Sequence, residues 1–270
     1  MTQEPLDVDA VRAAFDAQIR RKAEADEPGA VIEQDNGVLR WIAPGTQTSL
    51  INWSELTKAT ADTVIAAQRE YFANRGTPVE WKYYDYDQPA DLPSRLIAAG
   101  FQADDEETML VAQAAAIDPA VVLPPGVRLV PVTDEAGLEA AMAVHDLAFT
   151  AHPSPGLGQR LLTQFRDSPE LLQMVVAMAG DEPVSAARIE FIPGTDFAGL
   201  WGGGTVPAWR GKGIFRALVA YRAGLAAAAG YRYLQVDALP TSRPILERLG
   251  FQVVARTTPY VFTPAGSRVS

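Results

Sequence analysis

The run Val206-Pro207-Ala208-Trp209-Arg210-Gly211-Lys212-Gly213-Ile214 constrains this chain more than any other stretch. It follows a strand candidate at 199–206 and opens an alanine- and leucine-rich helix candidate at 214–229, which Gly230 stops. Glycines at 211 and 213 let backbone N–H groups approach a ligand without side-chain obstruction. Those N–H groups, at the positive end of the helix dipole, form an anion site. Arg210, Lys212 and Arg216 surround it with fixed positive charge, and a diphosphate is the expected occupant.

Two other phosphate motifs fail on named positions. A P-loop needs glycine where Val206 stands and Ser or Thr where Gly213 stands; a dinucleotide fingerprint needs a third glycine where Arg216 stands.

Charge places the anion site in the second half. The chain carries a formal net charge of −10, yet residues 1–118 hold 10 Lys and Arg against 21 Asp and Glu, and residues 119–270 hold 13 against 12. That balance argues against nucleic-acid binding, which needs clustered cations to neutralise phosphates. No uninterrupted apolar run reaches the roughly 18 residues of a membrane span, so no membrane partner is expected. The acidic start Met1-Thr2-Gln3-Glu4-Pro5 does not read as a secretory signal, and a cytoplasmic protein is expected. There are no cysteines and only two histidines, His145 and His152, which argues against disulfides and against a metal site.

The 270 residues accommodate two domains of about 100–150 residues each. Three prolines and a glycine at 114–126 read as a linker, giving domains at 1–118 and 119–270. After the linker the expected order is a strand at 127–132, a helix capped by Asp134 through about 148, a helix at 157–166, and strands at 172–179, 184–192 and 199–206. Then come the 214–229 helix, a strand at 233–238, a short helix at 243–249 behind Ser242 and Pro244, and a hairpin at 252–262 broken at Thr257-Thr258-Pro259. This is an α/β architecture with a mixed sheet. The first half repeats the later part: a helix at 60–74, a strand at 79–84, a helix at 91–99 and a hairpin-like tail at 101–111. Leu96 to Gln102, with its Gly100-Phe101-Gln102, lines up with Leu246 to Gln252, with Gly250-Phe251-Gln252, which predicts a duplicated fold.

Arg210-Gly211-Lys212-Gly213-Ile214-Phe215 resembles the Arg/Gln-x-x-Gly-x-Gly/Ala motif of the GNAT acetyltransferases. Leu246-Glu247-Arg248-Leu249-Gly250-Phe251 is similar to the family's Tyr-Glu-Lys-x-Gly-Phe ending of the penultimate helix. The resemblance implies a duplicated mixed-sheet GNAT fold whose first module is degenerate, since Trp53-Ser54-Glu55-Leu56-Thr57 has neither glycine nor base before its helix. It implies acetyl-CoA as co-substrate, no metal, and transfer of an acetyl group to a primary amine of a small molecule or peptide, by a monomer or homodimer. The amides of 211–215 would hold the CoA pyrophosphate, and Thr205 and Val206 would hydrogen-bond the pantetheine arm as an added strand. Gly202-Gly203-Gly204 would be where the sheet splays to admit it.

Two positions depart from the family pattern. Phe215 replaces a glycine or alanine, and Leu246 replaces the tyrosine that serves as proton donor to the departing thiolate. Ser242, Tyr260 or water would have to serve instead. Glu190, on the strand before the glycine-rich one, is the candidate base. Trp201, Phe149 and His152 are candidates for the acceptor pocket. A CoA-binding sensor without turnover and a longer-chain acyltransferase are the alternative readings.

Overall fold

The computed structural model describes residues 6–22, 24–25, 29–150 and 156–266. The chain forms two compact units, and neither is one continuous stretch. One comprises Asp7–Met109 with Asp237–Pro240 and the segment from Val253 onward; the other comprises Leu110–Val236 with Thr241–Gln252. Among the described residues no helix is long and apolar enough to cross a membrane.

The first unit opens with α1 (Val8–Phe15), whose N-terminus is capped by Asp7 accepting from the Ala10 N–H, and a π-helical turn at Asp16–Arg20. There follow β1 (Val31–Asp35), β2 (Val38–Ile42), β3 (Ser49–Ser54), α2 (Ala61–Arg75), β4 (Val79–Tyr84), α3 (Leu92–Ala98) and β5 (Gln102–Ala103). Asn36 and Gly37 join β1 to β2 with φ of 49° and 78°, the positive pair a two-residue hairpin turn demands. β3 and β4 are parallel, Ser49 to Ile51 against Val79 to Trp81, and α2 makes the crossover. Gly76 ends α2 at φ 69°.

β6 (Glu107–Gln113) straddles the division of the units. In the second unit come β7 (Val127–Pro131), α4 (Glu135–Ala148), α5 (Leu157–Asp167), β8 (Leu172–Ala179), β9 (Glu182–Phe191), β10 (Phe197–Thr205), α6 (Ile214–Ala228), β11 (Tyr233–Ala238) and α7 (Arg243–Arg248). Asp134 caps α4, its carboxylate accepting from the Gly137 N–H at 2.8 Å. The strands lie in the order β11-β10-β9-β8-β7, with only the β10–β11 pair parallel, so the sheet is mixed.

The expected final hairpin is instead one continuous strand, β12 (Gln252–Phe262). From Val253 it belongs to the first unit, which departs from a simple cut after residue 118. The reason is pairing: Thr257 to Phe262 run antiparallel to Tyr84 to Val79. Pro259 is tolerated because its carbonyl is used, accepting the Asp104 N–H at 2.9 Å, and a proline nitrogen has no hydrogen to lose. The tail at 101–111 is not a self-paired hairpin either, for Gln102 and Ala103 pair with Val261 and Tyr260 of β12.

The repeat is visible in geometry. Each unit has a parallel strand pair joined by a 15-residue helix and followed by a short helix. Both short helices end alike: Phe101 N–H donates to Leu96 O and Phe251 N–H to Leu246 O, across Gly100 and Gly250 at φ 93° and 97°. The starts of the long helices differ. Before α2, Thr57 and Thr60 bond each other, each N–H to the other's hydroxyl at 3.0 and 3.3 Å. Among the described residues no side chain caps the start of α6.

Candidate active site

Val206 and Ile214 are both buried in an apolar cluster with Leu138, Leu161, Val175 and Leu218, so the loop between them is pinned at its two ends. Pro207–Trp209 form a single 3-10 turn, with Trp209 N–H donating to Val206 O at 2.9 Å. Gly211 and Gly213 then adopt φ of +75° and +85°, the left-handed region that side chains resist. Gly213 is the N-cap of α6, and as a glycine it offers no side chain to the first-turn N–H groups. A Cβ at Gly211 would meet nothing within 4 Å, so the loop is open on that side.

Arg210 holds the loop's shape. Its Nε donates to Thr205 O at 3.0 Å and its Nη2 to Ala148 O at 3.3 Å, tying the loop to the ends of β10 and α4. Lys212 Nζ stands 4.1 Å over the Trp209 ring. Among the described residues, neither of these cations nor Arg216 is paired with a carboxylate. Uncapped amides and unpaired cations together make an anion cradle.

Beside the cradle, β10 loses its neighbour. Its pairing with β11 covers only Phe197 to Gly199 against Tyr233 to Gln235. On the other side it stays paired with β9, but Trp201 faces Arg188 and Gly204 faces Ala186, so Gly202 and Gly203 together oppose one residue, a β-bulge. From Leu200 to Thr205 the β11-side edge of β10 is therefore unpartnered among the described residues.

Gly202 and Gly203 of the bulge, and Gly204 after it, are required by what lies on them. A Cβ at Gly202 would come within 2.7 Å of Arg188 Nη1, and one at Gly203 within 2.9 Å of Phe215 Cε2. One at Gly204 would come within 2.7 Å of Ala148 Cβ and 2.8 Å of Phe149 Cε2. Phe215, the departure from the family motif, thus fills the space over Gly203. Gly203→Ala is expected to cost about 1–3 kcal/mol by overpacking. In the Phe215→Ala background the same change should cost little, so urea unfolding of the four proteins of the cycle should give a coupling above about 1 kcal/mol.

Comparison with known proteins agrees with this geometry. Residues 140–251 match the model of the family described as "Acetyltransferase (GNAT) family". They form a GNAT domain. No curated protein sequence matches the chain. Among solved structures, a GCN5-related N-acetyltransferase from Kribbella flavida is similar over 99% of this chain and 98% of its own, at 16% identity and a TM-score of 0.71. A functionally unknown conserved protein from Staphylococcus epidermidis is similar over 91% and 98%, at 16% identity and 0.66. A tandem GNAT protein from the clavulanic acid biosynthesis pathway is similar over 96% and 88%, at 16% identity and 0.59. At such identities the likeness is one of fold, and it spans both units: the chain has the duplicated GNAT fold.

Within the GNAT domain the sequence-derived donor residues Thr205, Val206, Arg210, Gly211, Lys212, Gly213, Ile214, Phe215 and Arg216 form one continuous strand end, loop and helix start. Val206 differs from its expected role. Its N–H donates to Val184 O at 3.0 Å and so is not left for an added strand, and its carbonyl accepts from the Trp209 N–H at 2.9 Å. Backbone direction alternates along a strand, so the Thr205 N–H faces away from β9. Phe149 ends α4, stacks on His145 at 4.8 Å between ring centroids and abuts Gly204. Trp201 folds over Gly199 and lies 5.9 Å from the Arg188 guanidinium. His152 lies outside the described residues.

The candidate catalysts are scattered. Glu190 is half-buried on β9 and accepts from Arg188 Nε at 2.6 Å. Ser242 precedes α7 at its N-cap position without capping it. Tyr260 lies on β12 in the core of the other unit, edge-on to Tyr83 at 6.2 Å, where burial pushes its hydroxyl pKa up. Leu246, which stands in place of the family motif's tyrosine, is a core residue, 1% exposed.

Two residues of this site were not anticipated. Arg188 faces the same side of β9 as Glu190, a pairing legible from their spacing of two. Arg222 is one and two turns of α6 beyond Leu218 and Phe215, on the face turned to β10.

Proposed function

We propose that this protein transfers an acyl group, acetyl first of all, from acyl-CoA to a primary amine of a small molecule or peptide. The observation that carries the reading is the adjoining pair of features around Thr205: an uncapped, cation-flanked helix start and a strand edge without a partner. A pyrophosphate matches the first and an extended amide-bearing arm matches the second. The amides of 211–215 would hold the diphosphate, with Arg210, Lys212 and Arg216 neutralising it. Thr205 and the bulge glycines would align the pantetheine along β10. The thioester carbon then stands beside the bulge, open to an amine.

In the reaction the free amine adds to the thioester carbonyl, the tetrahedral adduct collapses, and the C–S bond breaks to give amide and CoA thiolate. The amine's proton passes to water or to the Glu190 carboxylate that Arg188 holds in place. With Leu246 unable to donate, the thiolate takes its proton from water or Ser242. The first-half unit is read as a module without a donor site, because Thr57 and Thr60 close the loop before α2 on themselves. The reading puts the protein in the cytoplasm, where acyl-CoA is made.

Leu246 favours a second reading, a CoA-binding sensor without turnover. Free-thiol release from acetyl-CoA, followed against a panel of amines, separates the two. Acceptor-dependent thiol release is expected. Tight CoA binding with no acceptor-dependent release across the panel would favour the sensor.

A further inference from the structure

Arg222 is the most unusual charge in the GNAT domain. It is 2% exposed on α6, and among the described residues no carboxylate pairs with it. Among the described residues its guanidinium donates to main-chain carbonyls. Nε donates to Leu218 O one turn back at 3.0 Å, and Nη1 reaches Arg188 O of β9 at 2.9 Å and Trp201 O of β10 at 3.4 Å. Nη2 lies 3.5 Å from where a Gly203 Cβ would be. The neighbouring charge that acts on it, Arg188, is a like one. Burial first, and Arg188 second, pull the Arg222 pKa down to about 9.

Burying an unpaired charge works against stability, and an apolar side chain would serve packing better at this position. What the guanidinium does that leucine or methionine cannot is bind two carbonyls on adjacent strands at once. Those carbonyls belong to Arg188 and Trp201, the last matched pair before Gly202 and Gly203 bulge out. Nη1 alone reaches both carbonyls, and because its two N–H groups are fixed in the guanidinium plane, which Nε anchors to Leu218 O, it sets the spacing of the two strands at that point.

We infer that Arg222 is a positioning residue for the donor: it clamps β9 and β10 at the entrance to the bulge and so holds the unpartnered edge of β10 in register for the pantetheine arm. This rests on the donor-site reading above. It assigns Arg222 to the pantetheine end of the ligand, apart from the phosphate end held by the 210–216 loop. The two ends can be probed separately.

The test is calorimetric titration of the full-length protein, Arg222→Met and Arg222→Lys with two ligands, CoA and its nucleotide half, adenosine 3′-phosphate 5′-diphosphate. Arg222→Met is expected to weaken CoA at least tenfold and to leave the nucleotide half unchanged within twofold. Arg222→Lys, which keeps the charge and N–H donors but loses the rigid plane and the Nε anchor on Leu218 O, should fall between wild type and Met for CoA, and it supplies the same comparison if the Met variant does not fold. CoA affinity unchanged in both variants would overturn the inference. So would an equal loss for both ligands, which marks Arg222 as general structural support. Wild-type protein that binds neither ligand would overturn the donor-site reading itself, and the inference with it.

Discussion

Gly213→Val is expected to lower acetyl-CoA affinity about 100-fold while leaving the folded structure in place. Gly213 sits at φ +85°, and a β-branched residue pays roughly 1–2 kcal/mol or more to stay there. The loop can escape that cost by rotating out of the left-handed region, since the nearest foreign atom to a Cβ is the tip of Arg216 at 3.5 Å. Rotation at the N-cap re-aims the Ile214 and Phe215 amides, which start α6. Each hydrogen bond from such an amide to a charged group is worth about 1.5–3 kcal/mol, so losing one or two accounts for the factor. Gly230→Val is the control: it has the same conformation, φ +84°, at the other end of α6, with nothing within 4 Å. It should carry a similar strain without touching affinity. Calorimetry with circular dichroism checks both variants, and an unchanged affinity in Gly213→Val would sink the loop assignment.

The loop before α6 is readable in the sequence because its chemistry is local. Two glycines, a helix start and three cations lie within seven residues of one another, from Arg210 to Arg216, and no distant contact is needed to infer the anion site. The same locality made β8, β11 and the Asp134 cap legible. What failed depended on partners far along the chain. Thr257-Thr258-Pro259 reads as a break, and only β4, some 175 residues earlier, makes it a strand. Val206 has the right place for a pantetheine contact, but its N–H is claimed by Val184. Arg222 in an alanine-rich helix looks like a solvated charge until Arg188 and Trp201 are seen against it. β1 to β3 were a different kind of miss. Asn36-Gly37 between patterned runs is a strong local hairpin signal, and here the turn is formed as that signal requires.

The largest stability effect is expected in the first unit, at Asp87→Ala. Arg20 is 1% exposed, and Asp87 accepts from its Nη2 at 2.9 Å through both carboxylate oxygens. The guanidinium also binds Asp16 and Asn52 O and lies 3.9 Å from the Tyr84 ring centroid. Burial pushes the Asp87 carboxyl pKa up, and it would lower that of Arg20 if Asp87, Tyr84, Tyr86 and Asp16 did not outweigh it and raise it instead. The short two-oxygen geometry, with the Tyr84 N–H donating to the same carboxylate at 3.0 Å, decides for the ionised form. Removing Asp87 leaves a buried cation with its main counter-ion gone and a backbone N–H unmatched, which costs about 3–5 kcal/mol. Replacing both members together, Arg20→Met with Asp87→Leu, removes the stranded charge and should recover most of that loss. Trp53, whose ring lies 4.9 Å from the Arg20 guanidinium, makes the pair visible to fluorescence during urea unfolding. If Asp87→Ala unfolds within about 1 kcal/mol of wild type, the pair is a solvated contact and not the buried link that holds the π-helical turn against β4.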